Sequence, residues 1–235
     1  MGSDSFRRDW SARFGRPEPA VVCVGMNYAE HVREQRGEVP SAPLLFAKLA
    51  NVLCSNGEAI VIPAGIGHVD AEAELAIVIG RAARHVDAGE ALEYVAGFTC
   101  ANDVSARDIQ FAESQWFRSK GYDTFCPVGP TVMPASELGD PGNLRIRQRV
   151  NGETLQDSST SDLIFGVPEL VAYVSAFMTL QPGDLILTGT PQGVGVFRDP
   201  KRPLCDGDVV DIEIEGIGVL RNDVRVAERP TRDSQ

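Results

Sequence analysis

Strand-like alternation dominates the hydrophobic pattern of this chain, and helical periodicity is confined to short stretches. Asp208 to Glu215 alternates cleanly, with Val210, Ile212 and Ile214 on one face and Asp211, Glu213 and Glu215 on the other. Gly216 to Gly218 then turns the chain into a partner strand over Val219 to Val226. Arg145 to Val150 followed by Asn151-Gly152 predicts a β-hairpin, because that dipeptide tolerates the positive φ angles of a tight turn. Ala20 to Val24, Leu44 to Lys48, Ala59 to Pro63, Ala71 to Gly80 and Val95 to Val104 predict further short strands, and Asp184 to Leu187 one more that enters a Gly189-Thr190-Pro191 loop. Leu170, Val171, Val174, Phe177 and Met178 recur at helical spacing, predicting a helix over Val167 to Met178 with Pro168 in its first turn. Asn27 is expected to cap a short helix ending near Glu34, and Ser105 another running toward Glu113.

No spacing repeats and no composition break marks a linker, so the reading is a polar N-terminal extension over 1–19, one domain over 20–227 and a polar tail over 228–235. At 235 residues and 43% hydrophobic content the chain has enough apolar surface for a full core. Its 33 acidic residues outweigh 22 basic ones, for a net charge of -11, which argues against nucleic acid or an anionic membrane as partner. No apolar run approaches the roughly 20 residues of a bilayer span, and Met1 to Pro19 lacks the apolar stretch of an export signal, so a cytoplasmic protein is expected. The scattered cysteines Cys23, Cys54, Cys100, Cys126 and Cys205 are read as reduced core thiols.

Glu72 and Glu74 sit two apart on a predicted strand, so both carboxylates point to one face and each opposes the ionisation of the other. With Asp103 at the end of another predicted strand, they form an oxygen-rich set suited to Mg²⁺, with Mn²⁺ or Ca²⁺ also compatible. The alternative is a solvated acidic face, which the apolar run Leu75 to Ile79 weakens. His31 and Glu34, three apart on the short helix, suit a general-base dyad, the alternative being a surface pair without a role. Arg107, Gln110 and Lys120 lie in a segment mixing charges with Trp116, Phe117, Tyr122 and Phe125; Arg107 and Lys120 suit a dianionic or keto-acid ligand, or else the aromatics are core and the charges solvated. The loop glycines lack dinucleotide-binding spacing, and no Gly-x-Ser-x-Gly elbow is present.

Taken in order, VGMNYAEHVRE (24–34), LLFAK (44–48), EAELAIVIG (72–80), NDVSARDIQ (102–110), SQWFRSKGYDTFCPVGP (114–130), VNGE (150–153) and LQPGDLILTGTPQGVG (180–195) resemble the fumarylacetoacetate hydrolase family. The likeness is nearest to its short acylpyruvase-like and bacterial isomerase/decarboxylase members. It implies an α+β, mainly β fold, a mixed β-sandwich roll with few helices, forming the catalytic domain of a homodimer. It also implies that Glu72, Glu74 and Asp103 hold Mg²⁺, that His31 and Glu34 are the catalytic dyad, that Lys120 reaches the substrate, and that Arg107, Gln110, Tyr122 and Thr190 line the pocket. Met26 stands where some family members carry Leu or Arg. The implied activity is C–C hydrolysis of an acylpyruvate-type 2,4-diketo acid through a metal-stabilised pyruvate enolate. Isomerisation of 2-hydroxyhepta-2,4-diene-1,7-dioate, or decarboxylation of 5-oxopent-3-ene-1,2,5-tricarboxylate or oxaloacetate, is the runner-up. A non-catalytic, metal-stabilised binding domain is the third reading, against which the presence of both His31 and Glu34 counts. The segment from Asn27 to about Pro43 is expected to act as a lid over the site, because its helix is too short to be stable alone and Arg36 to Pro43 has little apolar anchoring; the alternative is a permanently ordered surface turn.

Overall fold

The computed structural model describes residues 4–228. A seven-stranded mixed sheet runs in the order β2 (Leu44–Lys48), β1 (Val21–Gly25), β12 (Leu185–Leu187), β6 (Ala73–Ile79), β7 (Val95–Asn102), β9 (Cys126–Pro134) and β3 (Leu53–Ser55). A five-stranded sheet runs β11 (Glu153–Ser159), β10 (Arg145–Val150), β13 (Val209–Ile214), β14 (Gly218–Val226) and β4 (Ile60–Ile62), and β5 (Val69–Asp70) pairs with β8 (Ser105–Ala106). Helices are few and mostly short: α1 (Asp4–Phe14), α2 (Ala29–Glu34), α3 (Arg107–Ala112), α4 (Phe117–Lys120), α5 (Ala135–Leu138) and α6 (Val167–Phe177).

The apolar face of the five-stranded sheet, with Ile146, Ile212, Ile214 and Leu220, shares one core with Leu75 and Ile77 of β6 and with Leu170, Val171 and Val174 of α6. The alternation read in β13 therefore places its isoleucines inward and its acids outward, while Asn151 (φ 52°) and Gly152 (φ 83°) make the turn expected between β10 and β11. Strand β6 is buried at every position because its second face is covered as well. That cover includes Phe6 and Trp10 of α1, which join Cys23, Ala76, Val78, Leu185 and Leu187 in a second cluster.

The segment read as a polar extension is thus a docked helix from Asp4 onward. Its charged residues face out, while Trp10 stacks on Phe6 at 5.0 Å and donates from Nε1 to the Gly183 carbonyl at 3.0 Å. Arg16 ties the following turn to the buried Asp184 at 2.6 Å. Replacing Trp10 by Ala is expected to destabilise the protein by about 3 kcal/mol, the low end for a buried tryptophan, and to abolish amide protection over 4–14. Hydrogen exchange and thermal melting check this, and unchanged protection would show that the helix does not depend on its docking. The tail over 228–235 lies outside the described residues except Glu228. Among the cysteines, Cys23, Cys54, Cys100 and Cys126 are buried thiols as expected, and Cys205 departs from the reading by being exposed. Burial pushes the Cys100 and Cys126 thiols up to about 12, which keeps them neutral and unreactive.

Candidate metal centre and active site

Strand pairing brings the acids together. Strands β6 and β7 are antiparallel, with Ala73 opposite Asn102, so the entry to one strand lies beside the exit from the other. Glu72 just precedes β6, Glu74 lies within it and Asp103 follows β7, and the Asp103 amide donates to the Glu72 carbonyl at 3.0 Å. One carboxylate oxygen from each of the three lies within 4.8 Å of the others, and all three residues are buried.

Cationic side chains hold two members of this triad. Glu72 accepts from Arg107 Nη2 at 2.5 Å and from Lys120 Nζ at 2.7 Å. Asp103 accepts from Lys120 Nζ at 2.6 Å and from Lys48 Nζ at 2.5 Å. Burial alone would raise the Glu72 carboxyl, but the charges of Arg107 and then Lys120 hold it well below the usual carboxylate range. Glu74 differs: its Oε2 accepts from the Gly189 amide at 2.7 Å, and among the described residues it forms no ion pair. Burial pushes its carboxyl well above the ordinary range, and the neighbouring Asp103 and Glu72 add to the shift.

Four buried carboxylates, Asp70, Glu72, Glu74 and Asp103, therefore face three buried cations, Lys48, Arg107 and Lys120. Glu74 is the triad acid without a cationic partner among the described residues, so its ionisation would leave one negative charge unbalanced. A hard divalent cation bound by the three oxygens would remove it, so the residues fit Mg²⁺, Mn²⁺ or Ca²⁺ by donor type and by charge. No histidine or cysteine belongs to this group.

His31 and Glu34 arrive on α2. His31 is 4% exposed, and its Nδ1 stands 2.9 Å from Glu34 Oε2 while its Nε2 stands 2.7 Å from Gln35 Nε2. The amide nitrogen can only donate, so the network assigns Nδ1 as protonated and leaves the Nε2 lone pair as the basic site. Glu34 Oε1 in turn accepts from the Gly193 amide at 2.9 Å. Gly193 (φ 101°) admits no side chain, since a Cβ would sit 2.2 Å from the Leu155 carbonyl oxygen. The glycine loop after β12 thus holds Glu34 through Gly193 and Glu74 through Gly189, which links the dyad to the triad.

Asn27 does not cap α2 as expected. Its side chain instead donates to the Thr188 and Phe165 carbonyls and accepts from the Phe165 amide, so it pins the start of the segment expected to move. Residues 38–43, exposed or half-buried, show no such ties among the described residues. Ser105 is likewise no helix cap: it lies in β8, with Oγ donating to the Asp103 carbonyl at 2.8 Å.

His31, the triad, Arg107, Gln110, Lys120 and Thr190 all line one cavity of about 210 Å³, whose remaining wall includes Met26, Phe46, Phe111 and Trp116. Glu34 stands behind His31. Tyr122 is the departure: it does not line the cavity, and its ring packs against Phe125 at 5.3 Å. Three residues missed in the sequence complete the site. Asp70 continues the two-residue spacing of Glu72 and Glu74 by one step and clamps His68 and Arg107. Lys48, the last residue of LLFAK, is the buried residue of β2. Gln35 comes directly after the dyad.

Comparison with known proteins places this architecture. The family described as fumarylacetoacetate hydrolase, C-terminal, matches residues 20–225. Bovine (Bos taurus) mitochondrial oxaloacetate tautomerase FAHD2A is 50% identical over 211 residues, spanning 89% of this chain and 67% of that protein. The crystal structure of 5-carboxymethyl-2-hydroxymuconate delta-isomerase from Mycobacterium smegmatis is similar at a TM-score of 0.80 and 45% identity, over 89% of this chain and 80% of that one. Maleylpyruvate hydrolase from Sphingobium sp. SYK-6, solved with manganese(II) and pyruvate, is similar at a TM-score of 0.75 and 34% identity, over 89% of this chain and 71% of that one. With its mainly β fold and its buried acidic triad, the chain belongs to the fumarylacetoacetate hydrolase family.

Proposed function

We propose that this enzyme enolises small 2-oxo acids, with oxaloacetate as its foremost substrate, by moving a proton at C3. The observation that carries the reading is that the basic nitrogen of His31 and the three buried carboxylates face one small cavity. Glu72, Glu74 and Asp103 would hold a divalent cation, and Mn²⁺ in the Sphingobium neighbour supports that assignment. Such a cation supplies Lewis acidity that stabilises negative charge on the 2-oxo oxygen as the C3 proton leaves.

The protein's own groups do the rest. His31 Nε2 takes the C3 proton, and Glu34 stabilises the resulting imidazolium through Nδ1–H. The same nitrogen returns the proton, to carbon or by way of the enol oxygen, so no atom is lost and the reaction is a tautomerisation. Once the charge of the triad is balanced, Lys120 is free to meet the substrate carboxylate. Thr190, held by Gln156 Nε2 at 2.8 Å, offers its hydroxyl proton at the cavity wall. The 50% identity to oxaloacetate tautomerases puts this reaction first.

C–C hydrolysis of acylpyruvates is the second reading, favoured by the intact dyad and by the likeness to maleylpyruvate hydrolase. There His31 would deprotonate water, the hydroxide would add to the C4 carbonyl, and breaking the C3–C4 bond would release pyruvate enolate and a carboxylic acid. A panel of oxaloacetate, acetylpyruvate, fumarylpyruvate and 2-hydroxyhepta-2,4-diene-1,7-dioate separates these readings. Fastest turnover is expected with oxaloacetate by keto–enol absorbance. Acylpyruvate cleavage without oxaloacetate tautomerisation would transfer the assignment to hydrolysis, and inactivity on every 2-oxo acid would contradict both.

A further inference from the structure

Resting on the enolisation reading, we infer that Gln35 is a substrate-displaced cap on the base, whose amide N–H moves from His31 to an oxygen on C4 of the substrate. The side chain occupies the one position on His31 that the reaction needs: Gln35 Nε2 lies 2.7 Å from His31 Nε2, while Glu34 holds the opposite nitrogen. A proton can reach that lone pair only after the amide has left it.

The place and surroundings of Gln35 fit such a transfer. It is the C-cap of α2, half-buried and lining the cavity, tied to the helix by its backbone amide to the His31 carbonyl at 3.2 Å. The next residue, Arg36, adopts φ 53° and takes the chain out of the helix. The Gln35 side chain can therefore move without unwinding the turn that carries His31.

The destination is set by what the rest of the cavity can offer. Arg107 and Lys120 lie at the triad end, where Lys120 meets the C1 carboxylate. Met26, Phe46 and Phe111 have no strong donor, and of the lining residues that do, Gln110, Trp116 and Thr190, none is hydrogen-bonded to His31 as Gln35 is. When the C1 carboxylate and 2-oxo group lie toward the triad and C3 faces His31, the C4 oxygen is the substrate atom beside the base, and the displaced amide is the donor beside it. A 2-oxo acid without that oxygen would have to uncap His31 and leave the amide unpaired, a cost that selects against it. Gln35 thereby ties uncapping of the base to arrival of a substrate with oxygen at C4, whether oxo or carboxylate.

The test compares wild type with Gln35→Met, which keeps length but cannot donate, in the Mn²⁺-loaded protein. Deuterium exchange at C3 is followed by NMR for oxaloacetate and for 2-oxobutyrate, which lacks the C4 oxygen. The ratio of the two rates is expected to fall at least tenfold in Gln35→Met, about the value of one hydrogen bond to a charged or oxo acceptor. A parallel fall for both acids, or an unchanged ratio, would overturn the inference. Calorimetric binding of 2,4-dioxopentanoate and 2-oxobutyrate provides an arm independent of turnover. Wild type is expected to prefer the former and Gln35→Met to lose about tenfold of that preference; a preference retained in the variant would overturn the role of Gln35. Should wild type exchange neither acid, the enolisation reading fails, and the binding arm still decides whether Gln35 recognises the C4 oxygen.

Discussion

Replacing His31 by Asn is expected to lower turnover on oxaloacetate roughly 1,000-fold, within the range that a positioned general base contributes, while leaving affinity for Mn²⁺ and for oxalate within about twofold. The separation comes from the geometry. His31 Nδ1 and Nε2 are engaged by Glu34 and Gln35, and neither nitrogen contacts the three carboxylates that would hold the cation. Oxalate resembles the enolate and has no proton to surrender, so it does not require the base. Asn preserves a polar side chain on the turn, and the helix is anchored independently by Asn27 and by the buried Val32. Steady-state kinetics with calorimetry of oxalate binding checks the prediction. A loss of oxalate affinity equal to the loss of rate would make His31 a ligand-binding group instead.

Neutralising Glu74 should have the largest effect on the metal and the opposite effect on the metal-free protein. In wild type, saturation with Mn²⁺ at 100 times its Kd should stabilise the fold by about 2.7 kcal/mol, a rise in Tm of roughly 5–10 °C for a chain of this size. Glu74→Gln is expected to abolish that rise and turnover together, because it removes the carboxylate in which the unbalanced charge resides. The sign reverses after chelation. The folded state holds the Glu74 carboxyl above its unfolded value, so its ionisation weakens the fold as pH climbs past the unfolded value, and the neutral amide escapes that penalty. Chelated Glu74→Gln should therefore melt at or above chelated wild type at neutral pH. A variant that melts well below wild type without metal would show that Glu74 supports the fold rather than the cation.

Legibility in the sequence divides between local and tertiary signals. The β10–β11 hairpin, the alternation of β13 and the apolar stripe of α6 are local, and each formed where its pattern placed it. Glu72 and Glu74 were legible as a pair because period two on a strand puts both side chains on one face, and Asp103 was legible at the end of a second predicted strand, with the family likeness agreeing. Asn27 and Ser105 carry the usual chemistry of helix caps, yet tertiary partners claimed both side chains: Thr188 and Phe165 for one, the Asp103 carbonyl for the other. The N-terminal helix was hidden by its composition, since arginines and acids surround the single stripe of Phe6, Trp10 and Phe14 that meets the sheet. Lys48 was hidden for the opposite reason. A lysine after an apolar strand reads as its exposed end, and only the fold shows it fully buried, with its ammonium on Asp103 and on the Phe125 carbonyl. Tyr122 was placed in the pocket by likeness alone, and its ring turns to Phe125.

Deuterium exchange at C3 of oxaloacetate, monitored by NMR in D₂O, tests the central claim most directly, because it reports the proton transfer itself rather than any later step. With Mn²⁺-loaded wild type, exchange should exceed the rate given by the same concentration of free Mn²⁺ in buffer, and should fall to the buffer rate after chelation, in His31→Asn and in Glu74→Gln. Exchange by wild type at only the free-metal rate, or enzyme-dependent exchange that survives chelation or loss of His31, would contradict the account.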